Sequence, residues 1–132
     1  MMSKFGFIRY AVLSIALVQP AVAAQGGDKG MADLARARGC MLCHELEPAR
    51  AAAEQTLPAA PGFLEIAQRY RGDKSAAERL TQTVLQGTGG RPGDRHWAGK
   101  ASTDRMLPNA VEITPEEARS LVTWILSLAE RR

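Results

Sequence analysis

Hydrophobic positions recur at helical spacing in four stretches of this chain, each bounded by Gly or Pro, and no alternating strand pattern competes with them. Residues 28–39 form the first, with Met31, Leu34 and Ala35 on one face, Arg36 and Arg38 away from it, and Asp28 placed as N-cap. Small Ala32 and Ala35 would let another helix approach closely. The second follows Pro61, where Phe63, Ile66, Ala67 and Tyr70 share a face and Gly72 is the stop. The third spans residues 75–86, with Ser75 and Glu78 in capping-box positions, Ala77, Leu80, Val84 and Leu85 as the buried stripe, and Gly87 at the end. The last is the best specified: Thr114 caps, Pro115 takes the first turn and Glu117 completes a capping box. Its stripe is Ala118, Leu121, Val122, Ile125, Leu128 and Ala129, with Trp124 at the margin; an acidic start and the basic Arg131 and Arg132 suit the helix dipole. The pattern predicts an all-α domain in which the first and last helices cross.

Two stretches lack this order. Residues 45–58 are Ala-rich between prolines and read as a solvated excursion or a partner-docking insertion. The Gly-rich run from Gly87 to Glu112 is about 25 residues without periodicity, a length that in so small a domain is usually functional.

The N-terminus changes the composition. Lys4 and Arg9 precede the apolar run 10–18, and Pro20 and small residues follow, the layout of a secretory signal cleaved after Ala23 or Ala24. The apolar run is about half the length needed to cross a bilayer, so a retained anchor is the weaker reading. Cleavage of residues 1–24 would leave one domain, 25–132. The whole chain has 17 basic and 14 acidic residues, and loss of Lys4 and Arg9 leaves a formal +1, which gives no support to nucleic-acid binding. Phe5, Phe7 and Tyr10 also leave, so the mature core is poor in aromatic residues.

Against that background, both cysteines and one of the two histidines fall in "RGCMLCHEL". A Cys40–Cys43 disulfide would close a very small loop. A dithiol redox site normally opens a helix after a strand, and here a helix precedes. Zinc would need ligands beyond Cys40, Cys43 and His44, with only His96 to add. Covalent haem uses every residue: thioethers at Cys40 and Cys43, and His44 as the proximal iron ligand. The porphyrin would also supply the large apolar body the core lacks. For the distal position, Met41 is inside the attachment loop and Met31 is in a helix. Met106, in "RMLPN", is the favoured ligand, with His96 or an open site as alternatives.

With "CMLCH", "APGFLEIAQRYRGD" and "RMLPNAVEITPEEARSLVTWILSL" in view, the chain resembles the small bacterial class I cytochromes c over nearly all of residues 31–128. The resemblance implies four to five short helices around one covalently bound haem c, with Met106 as distal ligand. It implies that the Pro61 carbonyl accepts the Nδ1 proton of His44, that Trp97 lines the haem edge near a propionate, and that Asn109 helps to hold the methionine loop. The expected function is that of a monomeric periplasmic one-electron carrier, not an enzyme. It would dock redox partners transiently at the exposed haem edge and have no membrane span after signal cleavage. Two other functions fit the motif: a haem c subunit of a periplasmic oxidoreductase, for instance one that oxidises sulfur compounds, and a haem-based sensor with an open distal site.

Overall fold

The structure is a computed structural model, and it describes residues 27–47, 57–89, 97, 99–102 and 105–131. The signal segment 1–24, His96, Pro48 with most of the 45–58 insertion, and much of the Gly-rich run lie outside the described residues. The described residues form four α-helices: α1 (Asp28–Ala37), α2 (Phe63–Arg69), α3 (Ala76–Gln86) and α4 (Pro115–Ser127). A 3₁₀ turn at Cys40–Leu42 follows α1, and the described residues contain no strand.

Helix α4 organises the rest, because α1, α2 and α3 all pack against it. Its start follows from local chemistry. Thr114 Oγ1 accepts from the Glu117 N–H at 3.2 Å, and the Glu117 carboxylate accepts from the Thr114 N–H at 3.0 Å, so two otherwise orphaned donors are satisfied reciprocally. Ala118, Leu121, Val122, Ile125 and Ala129 are buried as the period requires. The core cluster joins Met31, Ala32 and Ala35 of α1, Phe63 of α2, and Leu121, Trp124 and Ile125 of α4. Ala35 is fully buried, so the small side chain lets α1 and α4 come together.

Several details depart from the pattern read along the chain. Asp28 is not the cap of α1; Gly27 holds that position without a side-chain bond. The Asp28 carboxylate instead accepts from Trp124 Nε1 at 2.9 Å and from Arg131, tying the start of α1 to α4. Trp124 is accordingly buried rather than marginal. Since α4 ends at Ser127, Arg131 lies beyond its last turn and serves this bridge, not the dipole. Helix α1 ends at Ala37, two residues short of Gly39, and Arg38 does not simply face solvent; it is half-buried and pairs with Glu117 at 2.5 Å.

At α3 the expected capping box does not form. Ser75 gives no side-chain cap bond, because its N–H and hydroxyl both donate to Asp73 Oδ1, at 2.9 and 2.8 Å. The buried positions of α3 are Ala76 and Thr81, one residue round from the apolar stripe, while Ala77, Leu80, Val84 and Leu85 are only half-buried. Thr81 tolerates burial because its hydroxyl donates to the Ala77 carbonyl at 2.7 Å.

Candidate functional site

The attachment segment begins where α1 stops. Gly39 has φ +76°, a conformation that lets the chain turn from α1 into the 3₁₀ turn carrying Cys40. The His44 N–H donates to the Cys40 carbonyl at 3.0 Å, which brings the histidine back under the turn. Cys40 and Cys43 are both free thiols, the first half-buried and the second exposed, so no disulfide joins them. Burial pushes the Cys40 thiol up. Among the described residues no group of three His, Cys, Asp or Glu side chains converges to hold a metal ion.

The His44 ring is buried, and its Nδ1 lies 2.8 Å from the Pro61 carbonyl oxygen. A carbonyl only accepts, so Nδ1 carries the proton and Nε2 is the nitrogen with a lone pair for iron. Burial lowers the imidazole pKa, with the Pro61 bond opposing it, so the ring is neutral at pH 7, the form that binds a metal. Phe63 stacks on it with ring centroids 5.3 Å apart and 23° between planes, and Trp124 meets Phe63 edge-on at 5.9 Å. Helix α2 supplies this clamp because its first N–H groups, at Phe63 and Leu64, donate to the carbonyls of Glu45 and Leu46, the residues directly after the histidine. Position, tautomer and ring plane of His44 are thus all held by one helix start. Of the prolines in that stretch, Pro61 makes the contact; Pro58 instead accepts from the Ser102 N–H at 2.7 Å.

Met106 is half-buried in the irregular chain before α4. Its carbonyl accepts from the Thr88 N–H at 2.8 Å and its N–H donates to Thr88 Oγ1 at 3.2 Å. The other described methionines of the mature chain are committed elsewhere: Met31 is in the core and Met41 is in the attachment turn, packed against that core. Asn109 does not bond Met106 itself. Its amide donates to the Arg38 carbonyl at 2.9 Å and to the Val111 carbonyl, joining the methionine segment to the residue two before Cys40. Trp97 starts a tight turn, its carbonyl accepting from Lys100 and Ala101, and the Arg69 guanidinium sits 5.4 Å from its ring centroid. It lines an open groove with Tyr70, Arg79 and Lys100.

These residues fit a covalently held haem. Two free thiols are spaced for two thioethers, the adjacent imidazole is neutral with Nε2 uncommitted by the Pro61 bond, and a thioether-bearing residue is fixed through its backbone in the loop before α4. Gly87 and Thr88, which lie against the main chain of Met106, read in sequence only as a helix stop and a loop start, and Phe63 reads only as part of an apolar stripe. A Gly-Thr-Gly-Gly run directly at a helix stop was the available signal.

Comparison with known proteins agrees. The family model described as "Cytochrome c" matches residues 29–129. The chain is 35% identical to cytochrome c-551 of Allochromatium vinosum over 95 residues, covering 72% of this chain and 82% of that protein. It is 31% identical over 97 residues to cytochrome c2 of Rhodocyclus tenuis, 74% and 90% of the two chains. The crystal structure of wild-type Nitrosomonas europaea cytochrome c552 superposes with a TM-score of 0.55 at 27% identity, over 74% of this chain and 98% of that one. With a Cys-Met-Leu-Cys-His segment that fits the haem-attachment motif, the chain belongs to the cytochrome c family, as a small class I member that carries electrons on a covalently bound haem c.

Proposed function

We propose that this protein is a freely diffusing, non-enzymatic electron carrier of the periplasm, with its haem attached at Cys40 and Cys43 and its iron held by His44 and Met106. The observation that carries the reading is the His44 Nδ1–Pro61 bond of 2.8 Å, which fixes the tautomer an iron ligand needs. Haem, when bound, supplies a one-electron couple whose potential is raised by His/Met ligation.

The protein's own residues do the rest. Phe63 and Pro61 hold the imidazole so that little has to move when the charge changes. Met106 would be the second protein ligand of the iron, which would leave no open site for a small substrate. Leu42, 86% exposed inside the attachment loop, supports docking at the adjacent edge, and such redox encounters are small and transient. The signal-like segment 1–24 supports export, and no helix among the described residues is long and apolar enough to cross a membrane.

The test is an optical spectrum of the ferric holoprotein, wild type against Met106→Ala. The long-wavelength sulfur-to-iron band is expected in the first and absent from the second. Wild type without the band, or tight carbon monoxide binding by its ferrous form at neutral pH, would overturn His/Met ligation. Recovery of the mature chain from the osmotic-shock fraction of native cells checks localisation.

A further inference from the structure

Helix α3 ends at Gln86, and the two residues after it meet the chain of Met106 at very close range. Gly87 has φ +71°. A Cβ at this position would lie 2.6 Å from the Met106 carbonyl oxygen, 2.8 Å from Pro108 N and 2.9 Å from Pro108 Cδ. The two nearest of these atoms are main chain, so neither can rotate away; the methionine loop passes directly over a glycine that has no room for any side chain. Thr88 then takes both main-chain polar groups of Met106. The Thr88 N–H donates to the Met106 carbonyl at 2.8 Å, and Thr88 Oγ1 accepts from the Met106 N–H at 3.2 Å.

A residue held at its donor and its acceptor, with the following residues seated on a glycine, has a fixed Cα. Its side chain is then the only freedom left. That matters for a thioether, a weak neutral ligand that competes with water and other bases for the iron and succeeds by being presented at the right place.

We propose that Gly87 and Thr88 are the positioning residues for the distal ligand: their main-chain clip on Met106, anchored to the end of α3, sets how firmly the sulfur holds the iron. The proposal rests on Met106 being that ligand. It predicts that the clip can be loosened without touching Met106 or the haem attachment.

The experiment uses the ferric holoprotein and imidazole as competing ligand, in wild type, Thr88→Val, Thr88→Ser, Gly87→Ala and Met106→Ala. Thr88→Val removes the acceptor for the Met106 N–H at nearly constant volume. It should keep the sulfur-to-iron band at neutral pH yet bind imidazole about fivefold more tightly, the equivalent of one net hydrogen bond. Thr88→Ser, which restores the hydroxyl, should return to within about twofold of wild type. Gly87→Ala should be affected at least as strongly as Thr88→Val. A purely structural role would lower the unfolding midpoint and leave imidazole affinity unchanged, and that result in Thr88→Val overturns the proposal even if Gly87→Ala fails to fold. Persistence of the band in Met106→Ala would overturn the ligand assignment, and the proposal with it. Loss of the band there alongside wild-type imidazole affinity in Thr88→Val would overturn the proposal alone.

Discussion

The side-chain amide of Asn109 donates to the carbonyl of Arg38 at 2.9 Å, joining residues 71 positions apart. One end of this bond is the segment between Met106 and α4; the other is the turn that leads into Cys40. Arg38 is itself paired with Glu117 in the first turn of α4. Asn109 therefore closes a ring of contacts that makes the methionine segment and the attachment turn one unit. Replacing it with Ala leaves the Arg38 carbonyl without this donor, a loss of about 1–2 kcal/mol. Denaturant unfolding of the holoprotein should show it, together with easier displacement of the distal ligand by imidazole. An unchanged stability would mean the bond is made equally well by water.

Two carboxylates bridge the first and last helices, and both give the protein an acid limit. The Trp124 indole and the Arg131 guanidinium hold the Asp28 carboxyl below its ordinary 3.8. Arg38, with the Thr114 N–H, holds Glu117 below its ordinary 4.5. A depressed folded-state pKa stabilises above the unfolded value and is lost as pH falls through the folded one. Asp28→Asn and Glu117→Gln should thus be less stable than wild type at pH 6, and the difference should shrink progressively once the pH drops below these ordinary values. A gap that stays constant into acid would show that charge contributes nothing. Added salt should also narrow the gap at pH 6, since both groups are reached by solvent.

Leu121 is the largest fully buried side chain described and lies in the cluster between α4 and α1. Leu121→Ala should cost about 2–5 kcal/mol, because the surrounding helices close only partly over the space left. The sulfur-to-iron band at neutral pH should persist, since the substitution changes neither His44 nor Met106. Thermal unfolding followed by circular dichroism and by the haem band would separate the two effects.

Leu42 is 86% exposed at the end of the 3₁₀ turn that begins at Cys40. An apolar side chain so exposed in the attachment loop is suited to brief contact with a redox partner, where a charge would carry a desolvation cost. Leu42→Glu should slow electron exchange with a physiological donor by about tenfold, the effect of roughly 1.4 kcal/mol at the encounter, and leave the sulfur-to-iron band as in wild type. Equal rates for the two proteins would place docking on another face.

What could be read along the chain was whatever depends on near neighbours. The Cys-x-x-Cys-His spacing carries its chemistry within five residues, and the Thr114–Glu117 box works within one turn, so neither needed the fold to be legible. The stripes of α1 and α4 were legible for the same reason, a period set by one helix. Contacts between distant segments were not. Asp28 looks like a helix cap until Trp124, 96 residues on, takes its carboxylate, and Arg38 looks solvent-facing until Glu117 reaches it. The stripe of α3 misled because Ala76 and Thr81, not the larger apolar residues, ended up buried. Thr88 and Met106 carry no mutual signature in sequence, since one of their bonds joins main chain to main chain and the other needs only a hydroxyl 18 positions away; only folding brings the end of α3 against the methionine loop and makes a glycine there obligatory.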